Sequence, residues 1–325
     1  MSDAIFDEPV RELLARYRQG ATRPFDPALL PQARASFSAQ FRDRSIADGV
    51  TVADIDAGGV PVRLYRPALD GPLPLHLYCH GGAFIIGSAL SGESDGPLSR
   101  RAAAAGCVVA SVEYRLAPEH PFPAGIEDCY AALADLAARG AEFGLSDVTS
   151  VGGKSSGGNF AAVVALMAKD RRGPKLALQL LEIAGTDLTK STAAWRTPGP
   201  GADTTRERDL ALIDLYLPTL ADRADPYASP LFARDLTGVA PAYVMNAEFD
   251  PRRDECEAYV ARLNDAGAPA VARTMAGHVH GSDGLIGWGP AEAWRAEANA
   301  VLAVAHDAAL AGRAPSLPTT WPPGG

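Results

Sequence analysis

The feature that most constrains this chain is an alternation that begins near residue 74. Short apolar runs, "PLHLYC", "CVVASVE", "VTSVG", "LALQLLEI", "AYVMNA" and "PAVARTM", read as strands. Longer Ala- and Leu-rich patterns with helical spacing lie between most of them: "LSRRAAAA", "GIEDCYAALADLAARG", "GGNFAAVVALMAKD" and "RDECEAYVARLNDAG". Strand–helix alternation of this kind implies an α/β fold, a mostly parallel central sheet with helices on both faces. At 325 residues the chain can bury a large core, as one big domain or two smaller ones.

Two segments depart from the rhythm. Residues 1–45 contain two short polar-rich helical patterns, "VRELLARYR" and "PALLPQARASFSAQF", split by a Pro-containing loop. Two strand-like segments follow, "GVTVADIDA" and "VPVRLYRP", joined at a Gly-Gly turn. Residues 186–222 are too long for a βα loop; they begin Pro/Gly-rich and end as an amphipathic helix, as a lid inserted after a strand would. The organisation expected is N-terminal helices over 1–45, a core over 46–312 holding the insertion, and a disordered tail over 313–325.

Composition narrows the partners. With 47% hydrophobic and 21% charged residues the chain is globular in type, and its net charge of −9 argues against nucleic acid and anionic membrane surfaces. No apolar run approaches the roughly 20 residues of a membrane span. The start "MSDAIFDEPVREL" lacks the cationic segment and apolar core of a signal peptide. Cys79, Cys107, Cys129 and Cys256 have no close metal-type spacing, and Cys79 and Cys107 sit in apolar strand-like runs. A reduced, cytoplasmic protein is the expectation.

The chemistry centres on "SVGGKSSGGN", residues 150–159, which contains the pattern G-x-S-x-G around Ser155. A second match surrounds Ser94. A nucleophile elbow needs a strand, a tight turn and then a helix, with glycines flanking the serine. Ser155 has that setting. Ser94 follows the loop-like "GSALS" and precedes Gly96-Pro97, so its match is a coincidence. Ser156, Gly157 and Gly158 would open the following helix, where free N–H groups and the dipole favour negative charge.

A serine attacking an ester creates an oxyanion that needs preorganised N–H donors. The stretch "CHGGAFIIG" follows a strand, and Gly81 and Gly82 let the backbone approach a ligand; their N–H groups and that of Ser156 are the expected donors. The serine also needs a base, and the base an orienting carboxylate, in the chain order serine, acid, histidine. Asp250 closes "YVMNAEFD" at a strand end, though it would equally serve as an N-cap for the helix that follows. His278 and His280, in the loop "MAGHVHGSDG", lie late enough to be the base; His306 falls in a helical pattern and reads as a surface or packing residue.

Several motifs in order resemble the hormone-sensitive-lipase-like branch of the α/β-hydrolases, which contains many bacterial carboxylesterases: "HGGAF" at 80–84, "YRLAPEHPFPA" at 114–124, "GKSSGGN" at 153–159, "DPYASPLFA" at 225–233, "DPRRDE" at 250–255 and "HVHG" at 278–281. The resemblance spans residues 50 to 312 or so. It implies an α/β-hydrolase fold with a helical cap formed by residues 1–45 and 186–222. It implies Ser155 as nucleophile, Asp250 as acid and His280, the histidine directly followed by glycine, as base. It implies a serine carboxylesterase that acts on a small-molecule ester through an acyl-enzyme and requires no metal or organic cofactor. A homodimer is among the expectations, as members often pair. An acyltransferase or other biosynthetic enzyme using the same triad is the alternative; a non-catalytic receptor on this fold is a second, disfavoured by the complete triad.

The chain departs from the family pattern at Lys154 and Ser156, which flank Ser155 where an acidic residue and an alanine are usual, at Ser282, where phenylalanine is usual, and at Cys256, where glycine is usual. Ser282 is expected to make the acyl or alcohol pocket more polar. Lys154 is expected to point away and pair with a carboxylate, in preference to holding a negative substrate group. Pro118, Pro121, Pro123, Arg115 and Glu119 are read as architectural, the last two as ion-pair partners.

Overall fold

The structure is a computed structural model, described here for residues 5–21, 26–40 and 43–320. Eight strands form one sheet: β1 (Val50–Ala57), β2 (Val60–Pro67), β3 (Leu73–Cys79), β4 (Val108–Val112), β5 (Leu145–Lys154), β6 (Leu176–Glu182), β7 (Ala242–Ala247) and β8 (Ala270–Met275). Their order is β1-β2-β4-β3-β5-β6-β7-β8. β1 pairs antiparallel with β2, and β2 with β4; every later pairing is parallel. β3 is buried at all seven positions, because a central parallel strand is covered on both faces and its sequence must be apolar throughout. β1, at the edge, is largely exposed.

The long helices are α1 (Glu8–Ala21), α2 (Leu30–Gln40), α3 (Asp95–Ala105), α4 (Ala124–Ala138) and α5 (Ser156–Asp170). After these come the short α6 (Ala193–Arg196), then α7 (Arg206–Tyr216), α8 (Arg253–Asp265) and α9 (Gly289–Leu310). One core cluster joins α4, α5 and α8 to one face of the sheet, through Ile126, Leu133, Phe160, Val164 and Tyr259 against Leu75, Leu77, Ala110 and Val151. The other face is covered by α3 and α9, where Leu98, Trp294, Val301 and Leu302 meet Tyr65, Val109, Leu180 and Tyr243. The chain thus makes the three-layer arrangement expected from its alternation. α5 is buried from Ser156 to Ala168, and its glycines and alanines let it press against the sheet.

The N-terminal and inserted segments meet at the strand ends. Arg34 on α2 pairs with Glu119 at 2.8 Å. A third cluster joins Phe6, Val10, Leu13 and Leu14 of α1 to Val279, Trp288 and Ala291. Trp288 Nε1 donates to Asp7 Oδ2 at 2.9 Å, and the rings of Phe6 and Phe249 meet edge-on at 4.9 Å. The insertion is irregular as far as α6 and α7. Residues 313–320 of the expected tail form neither helix nor strand, and Leu317 packs against the second cluster; residues 321–325 lie outside the described residues. All four cysteines are buried free thiols. Among the described residues no helix is long and apolar enough to cross a membrane.

Candidate active site

Ser155 sits between the end of β5 and the start of α5 with φ +57° and ψ −119°, a conformation that costs a non-glycine residue energy. The turn is held by Ser155 N donating to Glu182 O and by Asn159 N donating to Ser155 O, at 2.9 and 3.0 Å. Its tightness dictates the flanking glycines. A Cβ at Gly157 would stand 2.0 Å from Cys79 O and 2.3 Å from His80 O; one at Gly153 would stand 2.3 Å from Gly157 O. The G-x-S-x-G spacing is therefore a steric necessity of this bend. Ser94, in contrast, precedes α3 from a loop with ordinary right-handed dihedrals, and its neighbour Asp95 is engaged by Tyr65 and Arg63.

Ser155 Oγ lies 3.0 Å from His280 Nε2, and His280 Nδ1 lies 2.6 Å from Asp250 Oδ2. Three segments separated by roughly a hundred residues or by a whole strand–helix unit thus converge at the carboxyl ends of β5, β7 and β8. The N-cap of α8 is Arg252, with no side-chain cap bond, so Asp250 does not take that role, and its two oxygens have different partners. Oδ2 faces His280, while Oδ1 accepts from the backbone N–H of Arg252 at 2.9 Å ahead of α8. Burial alone would raise the Asp250 carboxyl, but His280 and the Arg252 guanidinium outweigh it and hold the group below the usual carboxylate range.

The loop that carries His280 is fixed from behind. His278, the other late histidine, is buried, bonds Ser282 Oγ at 2.9 Å and packs against Trp288 and Trp294. Ser282 is wholly buried; its hydroxyl also donates to Val279 O and accepts from Val279 N. This corrects the expectation that Ser282 polarises the substrate pocket: it has no place on the cavity wall and instead knots the loop. Gly281, at φ +77°, is pressed by Tyr17 of α1, whose hydroxyl would lie 2.5 Å from a Cβ there. Lys154 pairs with Asp283 at 2.6 Å, the carboxylate pairing expected of it, which joins the end of β5 to the same loop; it does not line the cavity described below.

Gly81 lies beside the elbow, where an added Cβ would be 2.9 Å from Lys154 O and 3.5 Å from the Ser155 Cβ. The next residues, Gly82, Ala83 and Phe84, all have positive φ and curl the chain over the serine. A cavity of about 40 Å³ opens here. Ala83, Phe84, Ser155 and Ser156 form its floor, and Leu188, Leu212 and Ile213 an apolar wall. Lys190, Asp209 and Arg252 form a charged wall that the sequence reading did not find. Lys190 bridges Asp209 and Glu255, at 3.3 Å to each. Burial pushes the Glu255 carboxyl up to about 7, only partly opposed by Lys190. A run of mixed charge in a Pro/Gly-rich insertion gives no sequence signal for such a cluster, since burial is decided by how the insertion folds back.

A second serine–histidine contact exists, Ser150 Oγ to His306 Nε2 at 2.8 Å, with His76 Nδ1 on the same hydroxyl at 2.9 Å. It lies within the core, and all three side chains are buried. Burial lowers both imidazoles, His306 to about 4, so they stay neutral near pH 7. His306 is thus the packing residue that one of its two expected readings describes. Arg115 pairs with Asp128 at 2.7 Å, consistent with an architectural role for its motif.

The fold and the assembled serine, histidine and aspartate have the arrangement of a serine hydrolase of α/β architecture. The chain belongs to the α/β-hydrolase fold family, which it matches over residues 76–283. It is 40% identical over 232 residues to the carboxylic ester hydrolase LipN of Mycobacterium tuberculosis, an alignment that covers 69% of this chain and 61% of LipN. It is 36% identical to the carboxylesterase NlhH of the same organism, over 82% of this chain and 80% of that one. Among solved structures it resembles a bacterial heroin esterase, with a TM-score of 0.84 and 33% identity over 93% of this chain and 98% of the other.

Proposed function

We propose that the protein hydrolyses small carboxylic esters by two-step acyl transfer. The observation that carries this reading is the continuous relay from Ser155 through His280 to Asp250, at 3.0 and 2.6 Å. His280 Nε2 takes the hydroxyl proton as Ser155 Oγ bonds to the ester carbonyl carbon. Asp250 steadies the imidazolium. The N–H groups of Gly81, Gly82 and Ser156 hold the oxyanion. As the tetrahedral intermediate collapses, the C–O bond to the alcohol breaks and His280 returns the proton to the departing oxygen. A water then attacks the acyl-enzyme with His280 again as base, and the acid leaves as Ser155 recovers its proton.

The cavity sets the substrate's scale. About 40 Å³ is room for three or so water-sized positions, which suits a short acyl group such as acetyl. The charged wall of Lys190, Asp209 and Arg252 favours a specialised ester with a polar substituent over a plain alkyl one. Residues 1–45 and about 186–222 act as the cap, and residues 46–312 as the catalytic core. The test is Ser155→Ala, which removes the nucleophile without adding volume. Hydrolysis of p-nitrophenyl acetate should fall by at least a thousandfold while the far-UV circular dichroism is unchanged; turnover at the wild-type rate in a folded variant would refute the assignment.

A further inference from the structure

The geometry points to Arg252 as a positioning residue that ties the inserted segment to the second oxygen of Asp250, an inference that rests on the triad reading above. Arg252 is buried. Its Nη1 donates both to Asp250 Oδ1, at 3.2 Å, and to Asp203 Oδ1, at 3.1 Å; its Nη2 donates to Asp209 Oδ1 at 2.7 Å. The guanidinium also stacks over the indole of Trp195, 5.1 Å from its centroid. Asp203, Asp209 and Trp195 all belong to the insertion. Among the described residues, this side chain is the ion-pair link between that segment and the triad. Lys190 reaches Asp209 and Glu255 but makes no ion pair with Asp250.

The arrangement has an electrostatic consequence. Asp250 offers negative charge to His280 through Oδ2, and the cation on Oδ1 draws some of it away. Asp203 and Asp209 in turn draw on the cation. The stabilisation that the imidazolium receives therefore depends on whether the insertion is seated. The planar guanidinium meets the three carboxylates from two nitrogens held in a fixed fork, whereas an ammonium would have to reach them from a single nitrogen. The other charged groups about His280 are the Lys154–Asp283 pair on one side, while the hydroxyl of Tyr17 on α1, behind the loop, is kept neutral by burial. None of them bonds Asp250.

The experiment measures kcat and KM for p-nitrophenyl acetate across pH in Arg252→Met, Arg252→Lys and Asp203→Asn. The acid limb of kcat/KM reports protonation of the imidazole. Arg252→Met removes the cation, so that limb moves to higher pH by about one unit, kcat falls roughly tenfold and KM rises severalfold. Asp203→Asn removes an anion and leaves the cation to Asp250, so the limb moves the other way. Arg252→Lys restores the limb toward the wild-type position but leaves KM raised, because its single nitrogen does not reproduce the fork that engages both cap carboxylates. Displacements of opposite sign support the inference. A limb unmoved in Asp203→Asn overturns it, even if Arg252→Met does not fold, and so do displacements of the same sign. Failure of the triad reading would show separately, as turnover that survives Ser155→Ala.

Discussion

Gly281→Ala should weaken the enzyme through α1, and the size of the effect can be worked from two terms. The first is backbone strain: at φ +77° an alanine costs on the order of 1 kcal/mol. The second is steric. The new Cβ would lie 2.5 Å from the Tyr17 hydroxyl, about an ångström inside contact distance, whereas the ring carbon that bears the hydroxyl is 3.8 Å away. Tyr17 can yield by tilting its ring or by shifting α1, which packs on Val279 and Trp288, at roughly 1–2 kcal/mol. The single variant should thus lose about 2–3 kcal/mol, and the shifted His280 should cut kcat roughly tenfold. Tyr17→Phe deletes the clashing atom. In the double variant the Gly281→Ala penalty should shrink to the strain term, which gives a coupling equal to the steric term, about 1–2 kcal/mol, in a double-mutant cycle. Urea titrations and p-nitrophenyl acetate kinetics on the four proteins measure both quantities. Coupling below about 0.3 kcal/mol would mean that Tyr17 does not brace the loop, and the reasoning would fail.

Two further outcomes follow from the structure. Leu212→Ala should lengthen the cavity's apolar wall side and raise the butyrate-to-acetate ratio of kcat/KM by roughly fourfold per added methylene accommodated, as about 0.8 kcal/mol per buried CH₂ implies; an unchanged ratio would place the acyl group elsewhere. His306 is held neutral at about 4 against an ordinary value of 6.5, so the unfolded chain binds the extra proton between these limits. Its contribution is whole above pH 6.5 and is lost as pH falls toward 4, about 2 kcal/mol between pH 7 and 5. Urea midpoints should fall over that interval, with a shallower fall in His306→Asn; equal slopes would remove His306 as the cause.

The fold was legible in the sequence because its strands are short apolar runs and its helices long Ala-rich ones, a contrast that survives without tertiary information. The elbow was legible too, since φ +57° at Ser155 and contacts near 2 Å at Gly157 leave few alternatives to glycine. Choosing His280 over His278 needed the family resemblance, as both stand in one loop; the structure separates them by burial and by the partners of each ring. Ser282 was misread because its position beside the histidine loop suggested a pocket lining, whereas its hydroxyl turns inward to Val279 and His278. Lys190 and Arg252 escaped notice for a related reason. A charged side chain is usually solvated, and only the folding of the insertion over residues 250–255 buries these two together.

The packing of α1 against Val279 and Trp288 also orders events during synthesis. Asp7 and the indole it accepts from are 281 positions apart. A ribosome will have made the bend at Ser155 long before it makes the loop that aims an imidazole at it. Helix α1 must then wait, part of its apolar stripe unsatisfied, until Val279 and Trp288 emerge. Throughout that interval the hydroxyl has no base, so the growing polypeptide cannot attack esters until residue 280 has emerged and folded back.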